Sequence, residues 1–278
     1  MPLNERQLAA FADKLTEQIP IDTSPRHLAG PGDARHVTHG LAAAGWKPIS
    51  DPLSAEIVLA SPDQRYQIQF DPQSHTLAWW RLRAEPVGAE PGWYAEFGEH
   101  VPAEVLAGLT DALVTQAPTT PRSPQAVLDA AGWLIDGRGI AYSDPPVCRV
   151  ERKSENGVGT VPWRDQVRVA WHIDVRDRPA AGGLSTHLWH AFFQGRTPEH
   201  LVTAFMTALT NPAPLQRGAF DHTAIHNVTH RPSSLAPRQR ADAHITRIKA
   251  LRARNKPPTP PAPPPAAASS TQPAAPRR

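Results

Sequence analysis

A single cysteine, Cys148, stands among 278 residues, and that scarcity excludes an internal disulfide and any metal site built from several thiolates. A reducing interior suits such a chain, and the sequence reads as cytoplasmic. No apolar run approaches the roughly 18 to 20 residues that a membrane span needs, and the N-terminus has no apolar signal core. The common catalytic signatures are missing as well. There is no phosphate-binding P-loop, no Gly-x-Ser-x-Gly elbow and no His-Glu-x-x-His pair, and Gly137-Arg138-Gly139 lacks the third glycine of a dinucleotide loop. These absences predict a non-enzymatic binding or adaptor protein without a cofactor or a metal, with an enzyme of unrecognised type as an alternative.

What the chain does contain is a duplication. The stretch WYAEFGEHVPAEVLAGLTDALVTQAP, Trp93 to Pro118, returns without a gap as WHAFFQGRTPEHLVTAFMTALTNPAP, Trp189 to Pro214, with eight of the 26 positions identical. Each copy opens with Trp, Ala and Phe on alternate residues, one face of a pleated strand. Each continues as a helix whose apolar positions pair off between copies: Val105/Leu201, Leu106/Val202, Leu109/Phe205, Ala112/Ala208 and Leu113/Leu209. Pro102 and Pro198 fall where a first-turn proline is tolerated, and Thr197 offers a capping hydroxyl in the second copy. Outward positions drift: Tyr94 becomes His190 and Glu96 becomes Phe192. A conserved buried face with a free outer face is a fold signal, so architecture is far more legible here than chemistry.

The fold class is therefore α+β: two tandem repeats, each an antiparallel β-meander of about four strands with helices packed on one face. Ala-Ala-Gly-Trp at 43–46 and again at 130–133 marks the end of a leading helix in each. In the first repeat, strands are predicted at Ile57 to Ala60, Tyr66 to Phe70 and Leu77 to Ala84. In the second, Val169 to Arg176 matches the last of these. Offsets between copies of 87, 91 and 96 place the extra residues of the second copy in loops near 153–166 and 177–186. The chain divides as an N-terminal helix (1–25, helical over 4–18), a first repeat (26–118), a linker (119–126), a second repeat (127–216), a connector and basic helix (217–256), and a Pro-rich, disordered tail (257–278). A short edge strand is expected at His27-Leu28-Ala29, and Asp33 is expected to cap the helix carrying Val37, Leu41 and Ala44.

Charge is divided unevenly. Residues 237–278 carry +8 and residues 1–236 carry −5, within a total of +3. Two groups of residues are candidate contacts for a ligand or a nucleic acid. The first is Trp79, Arg81 and Arg83, which alternation places together on the face opposite Trp80; they could stack a base or hold an anion, or lie covered by the N-terminal helix or the other repeat. The second is the basic run Arg238, Arg240, Arg247, Lys249, Arg252, Arg254 and Lys256, opposed only by Asp242, which could bind phosphates or be a solvated helix face. His222, His226 and His230 at four-residue spacing would align for a metal if helical, but Asn227, Val228 and Thr229 argue against a helix there. His36 and His39 fall off the apolar stripe of their helix and read as solvated. His172, His187 and His190 read as structural histidines. The partner is expected to be a protein of unknown identity, with nucleic acid through the basic segment as the alternative, and no membrane.

Three segments, HLAGPGDARHVTHGLAAAGW, SPDQRYQIQFDP and PGWYAEFGEHVPAEVLAGLTDAL, resemble the actinomycete SPDY-domain family, named for a Ser-Pro-Asp-Tyr motif and often found in tandem. Here Tyr66 follows Ser61-Pro62-Asp63 two residues late, and the second copy keeps only Ser143-Asp144-Pro145. The resemblance spans about residues 26–230. The family has no established biochemical function, so it implies an architecture and a bacterial host, and no catalytic residues.

Overall fold

Asn4 starts the first helix by reciprocal capping: its side chain accepts the Gln7 N–H at 2.9 Å, and the Gln7 side chain accepts the Asn4 N–H at 3.0 Å. The computed structural model describes residues 3–120, 122–153, 169–179, 182–221 and 224–255. Within these, helix α1 (Glu5–Thr16) leads into strand β1 (Pro20–Ser24) and a 3-10 turn (Arg26–Leu28). The first repeat then runs α2 (Arg35–Ala43), β2 (Lys47–Pro48), β3 (Ile57–Ala60), β4 (Tyr66–Phe70), β5 (Ala78–Ala84), β6 (Trp93–Gly98) and α3 (Ala103–Leu113). The second repeats that order as α4 (Pro124–Ala130), β7 (Leu134–Ile135), β8 (Ala141–Tyr142), β9 (Cys148–Arg152), β10 (Val169–Asp177), β11 (Thr186–Gln194) and α5 (Glu199–Thr210). Strands β12 (Leu215–Gly218) and β13 (Thr229–Pro232) follow, then α6 (Pro237–Arg254). The Pro-rich tail beyond Asn255 lies outside the described residues.

Each duplicated junction has one physical cause. Gly45 and Gly132 take positive φ, +90° and +78°, which lets Trp46 N–H reach back to Leu41 C=O and Trp133 N–H to Leu128 C=O, both at 3.1 Å. The helix is closed and the following tryptophan is turned toward the sheet, where Trp46 is buried and Trp133 half-buried. The Ser-Pro-Asp motif closes the next turn. Ser61 Oγ accepts Tyr66 N–H at 2.9 Å and donates to the Asp63 carboxylate at 2.5 Å. In the second repeat Ser143 Oγ accepts Cys148 N–H at 3.0 Å, five residues on, as Ser61 does. Tyr66 and Cys148 are therefore equivalent. The offset between copies falls to 82 at this point before rising to 91, and the added residues lie between Arg152 and Val169.

The sheets of the two repeats are one sheet. The strand order is β2-β3-β4-β5-β6-β11-β10-β9-β8-β7, antiparallel throughout, and the seam is β6 against β11. At that seam Glu96 faces Phe192, Phe97 faces Ala191 and Ala95 faces Phe193. Residues 96 and 192 are equivalents in the two copies, so an internal two-fold axis passes through that pair. On the core side, Phe97, Phe193 and Phe205 meet around the axis with ring centroids 5.3 to 5.5 Å apart, each fully buried. Helices α3 and α5 cross over this centre, flanked by α2 and α4, and one hydrophobic core runs through both repeats. Helices α1 and α6 pack together against α2 as an outer layer.

Four local expectations differ from the structure. Residues 27–29 belong to the 3-10 turn and the residue after it; the strand lies earlier, at Pro20–Ser24, where it pairs with both β12 and β13. Asp33 does accept the Arg35 N–H at 2.9 Å, but the N-cap of α2 is Ala34. Prolines 102 and 198 are themselves the N-caps of α3 and α5, and Thr197 Oγ1 is buried without a hydrogen bond instead of capping α5. Each repeat contributes five strands to the large sheet, not four, because β2 and β7 are two-residue edges too short to show a period.

Candidate functional site

Alternation along β5, β6, β10 and β11 places Trp80, Leu82, Phe97, Ile173 and Phe193 toward the helices. The intervening residues face the other way, where no described helix lies. Across the middle of this open face the strand register lines up Arg81, Glu96, Phe192, His172 and Glu151 in one row through the two-fold axis. In the next row Asp174 faces His190, and beyond a bulge in β10 and β11 Arg176 faces His187. Glu96, His172, Asp174, Arg176, His187, His190 and Phe192 border a cleft of ≈ 650 Å³, with His75, Thr76 and Leu77 of the β4–β5 loop forming its lip. Arg81 holds that lip: its Nη2 donates to Thr76 Oγ1 at 2.6 Å and to Ser74 Oγ at 3.2 Å.

Rings form a continuous row along the cleft. His172 stacks on Phe192 at 4.5 Å with the planes 4° apart, His190 tilts against Phe192 at 4.9 Å, and His187 stacks on His190 at 5.8 Å. Two carboxylates sit among them. Glu96, only 5% exposed although it is on the uncovered face, accepts the Tyr94 hydroxyl at 2.9 Å. Asp174 Oδ2 accepts Arg176 Nε at 2.6 Å, and Oδ1 lies 3.2 Å from His187 Nε2. Burial opposes the ionised form of Asp174, but the hydrogen bonds from His187 and Arg176 outweigh it and hold the carboxyl well below its usual range. Burial pushes His172 down to about 4, with the nearby Lys153 acting the same way, so this imidazole is neutral at pH 7. The cleft therefore offers the faces of Phe192 and neutral His172 beside a carboxylate that stays charged.

The candidate residues named from the sequence divide between two places. Arg81 and Arg83 share the open face, but an irregularity in β5 between Ala78 and Trp80 breaks the alternation at Trp79, which packs against the hydrophobic core. Trp79 is half-buried, edge-on to Phe70 at 6.2 Å; Arg81 secures the lip of the cleft; Arg83 is exposed and pairs with Glu85 at 2.7 Å. The basic run lies on α6, and much of it faces inward. Arg240 is buried and donates to Leu15 C=O, Arg247 clamps Asp111, and Arg252 donates to Leu3 C=O. Arg238, Lys249 and Arg254 point to solvent, and Lys256 lies outside the described residues.

Two histidine expectations are corrected. His230 is in β13, with Nδ1 3.2 Å from Thr23 Oγ1, and His226 sits in an irregular, exposed segment. Residues 226–230 do not form a helix, since His226 lies in a bend and the β-prone Thr229 opens β13; His222 lies outside the described residues. Among the described residues no group of three or more His, Cys, Asp or Glu is placed to hold a metal ion. His36 and His39 are not solvated: α1 and α6 cover the face of α2 that carries them. Cys148 is buried, and burial raises its thiol well above the usual range.

The repeated Ser-closed turn, meander and helix correspond to a described family. A model of the SPDY domain, a domain of unknown function (DUF317), matches residues 60–119 and 153–215. Two segments of the chain are thus similar to the SPDY domain, consistent with tandem copies. The first matched segment runs from the end of β3 through α3, and the second takes in β10, β11 and α5, so the SPDY-like segments supply the seam strands and both helices over the axis. The structural repeat extends further upstream than the second matched segment, through α4 to β9. No curated protein and no solved structure matches the chain. No helix among the described residues is long and apolar enough to cross a membrane.

Proposed function

We propose that this tandem SPDY-like protein is a non-enzymatic binding protein, and that the cleft on the open side of the seam receives an arginine-bearing segment of a protein partner. The observation that carries the reading is the row His172, Phe192, His190 and His187 beside Asp174 and Glu96, lining the cleft where the repeats join. A guanidinium is planar and keeps its charge. It can lie on neutral rings while its N–H groups reach a carboxylate, the combination these residues offer. Asp174 already accepts one such group, Arg176, whose side chain is 48% exposed and can give way to a better-placed arginine. The −5 charge of residues 1–236 favours the same class of partner at long range.

Asp174 and His187 also form the carboxylate–imidazole pair that acid–base catalysis would use. The residues bordering the cleft include one hydroxyl, Thr76, and it is engaged by Arg81. This favours binding over nucleophilic chemistry. Selection of displayed random peptides on the full chain tests the reading. Enriched peptides should contain arginine, and their affinity should fall at least tenfold with Asp174→Asn or Phe192→Ala while the fold is unchanged. Enrichment of acidic peptides, or affinities that both substitutions leave untouched, would overturn it.

A further inference from the structure

Three imidazoles and a phenyl ring meet where α1, α2 and α6 touch, on the opposite side of the molecule from the cleft. Phe11, 1% exposed, lies 4.2 Å from the His244 ring, 5.4 Å from His36 and 5.8 Å from His39. His39 Nδ1 and His244 Nε2 are hydrogen-bonded at 3.2 Å, and both side chains are buried. That bond needs one nitrogen bearing a proton and one bare, so it cannot survive when both facing nitrogens are protonated. The other ring nitrogen of His244, Nδ1, is buried with no partner, and a proton added there finds no acceptor.

The surrounding charges give such protons little relief. Arg35 of α2 lies 4.8 Å over Phe11, and Arg240 and Arg247 lie along α6 itself. Each nearby carboxylate is already paired: Asp33 with Arg35 and Lys14 of α1, Glu104 of α3 with Arg217 of β12, and Asp111 of α3 with Arg247. His36 lies 3.6 Å from Glu104, and Asp33 favours the protonated form of all three imidazoles without offsetting their burial. Burial first, then neighbouring cations and imidazoles, holds His39 at about 4 and His244 at about 3; burial also lowers His36. Beyond this cluster α6 is held by Ile248 and Leu251 packed on Leu3 and Ala43, and by Arg240, Arg247 and Arg252, whose guanidinium groups bind Leu15 C=O, Asp111 and Leu3 C=O.

We propose that His36, His39 and His244 form an acid-sensitive clasp that fastens α6 to α1 and α2, and that opening it releases Arg240, Arg247 and Arg252 from their present partners as a face for polyanionic phosphate chains. With α6 released the imidazoles regain an ordinary value near 6.5, so the open form binds more protons than the closed one. The closed form is fully favoured above about pH 6.5 and loses ground as pH falls from there toward 4. At pH 5 each ring closed at about 4 or below shifts the balance about 30-fold, and His39 with His244 about a thousandfold.

Hydrogen exchange on the full chain, expressed as protection factors to remove the intrinsic pH effect, reads this directly. Amides of residues 240–254 should lose roughly a thousandfold in protection between pH 7.5 and 5. Those of β6 and α3 should keep theirs, and a labelled DNA duplex should begin to bind in the same interval. His244→Leu, which cannot take up a proton, should hold α6 closed at pH 5 and suppress the duplex binding. His244→Gln serves as a second variant should leucine disturb the docking at pH 7.5. Opening of α6 together with the sheet in one step, opening that both variants leave unshifted, or an open helix that binds no duplex would each overturn the proposal.

Discussion

Gly108 of α3 exists to let Ala208 of α5 come close: a methyl group built on Gly108 would lie 2.6 Å from the Ala208 Cβ. Two effects oppose each other on substitution. Glycine to alanine inside a helix gains about 1 kcal/mol in propensity. The new methyl meets another Cβ fixed to backbone, however, so two helices over the internal axis must separate, and overpacking of this kind costs about 1 to 3 kcal/mol. Gly108→Ala is therefore expected to be destabilising by about 1 kcal/mol net, measured by urea unfolding. A more stable variant would mean that α3 and α5 have slack.

Phe205 and Leu109 are equivalents in the repeat, and both are fully buried. Phe205 is the one that stacks on Phe97 and meets Phe193 edge-on. Phe205→Ala should cost about 3 to 5 kcal/mol and Leu109→Ala about 2 to 5, with a single cooperative transition in both because one core spans the repeats. Separate melting of the two repeats in either variant would contradict a shared core.

Acid should destabilise the protein in two stages. His27 is buried with Nε2 unpartnered, and burial holds it at about 4. Like His39 and His172, it contributes stability that is present above pH 6.5 and lost as pH falls toward 4. Glu104 acts lower down. Burial opposes its charge, but Arg217, with contacts of 2.6 and 2.9 Å, prevails and brings it to about 2. Its contribution, about 3 kcal/mol, is complete above pH 4.5 and lost as pH falls to 2. Glu104→Gln should flatten the stability profile between pH 4.5 and 2 and lower stability at pH 7, where Arg217 would be left buried and unpaired.

The two motif serines should behave alike. Ser61→Ala and Ser143→Ala each remove the acceptor of a backbone N–H, part-buried at Tyr66 and buried at Cys148, and should each cost about 1 to 3 kcal/mol. If only Ser61 matters, the second turn does not do the same work as the first.

Patterns that depend on near neighbours were legible in the residue string; those that depend on distant ones were not. Trp93 and Trp189 announced a strand, and Leu109 and Phe205 a helix stripe, because burial by an adjacent layer imprints a period of two or 3.6 on the chain. Pairing of β6 with β11 left no such imprint, since a central strand and an edge strand with one covered face show the same alternation. Glu96 looked like a solvent residue for that reason. It is buried because the β4–β5 loop and Phe192, 96 residues away, close over it. His36 and His39 were misread for a related cause: α6 returns more than 200 residues later to cover a second face of α2. Strand β1 was missed because Pro20 and Asp22 suppress the usual strand signal.

The seam between β6 and β11 has an implication for how this molecule differs from an assembly of separate chains. A homodimer built on the same two-fold axis would be isologous, obliged to set an identical residue on each side: Glu96 against Glu96, or Phe192 against Phe192. The first would press two carboxylates together and the second would make a greasy, chargeless patch. Covalent fusion removes that obligation. It lets an acid from one half and an aromatic ring from the other meet at the axis, and so gives a symmetric scaffold a single polar, asymmetric mouth.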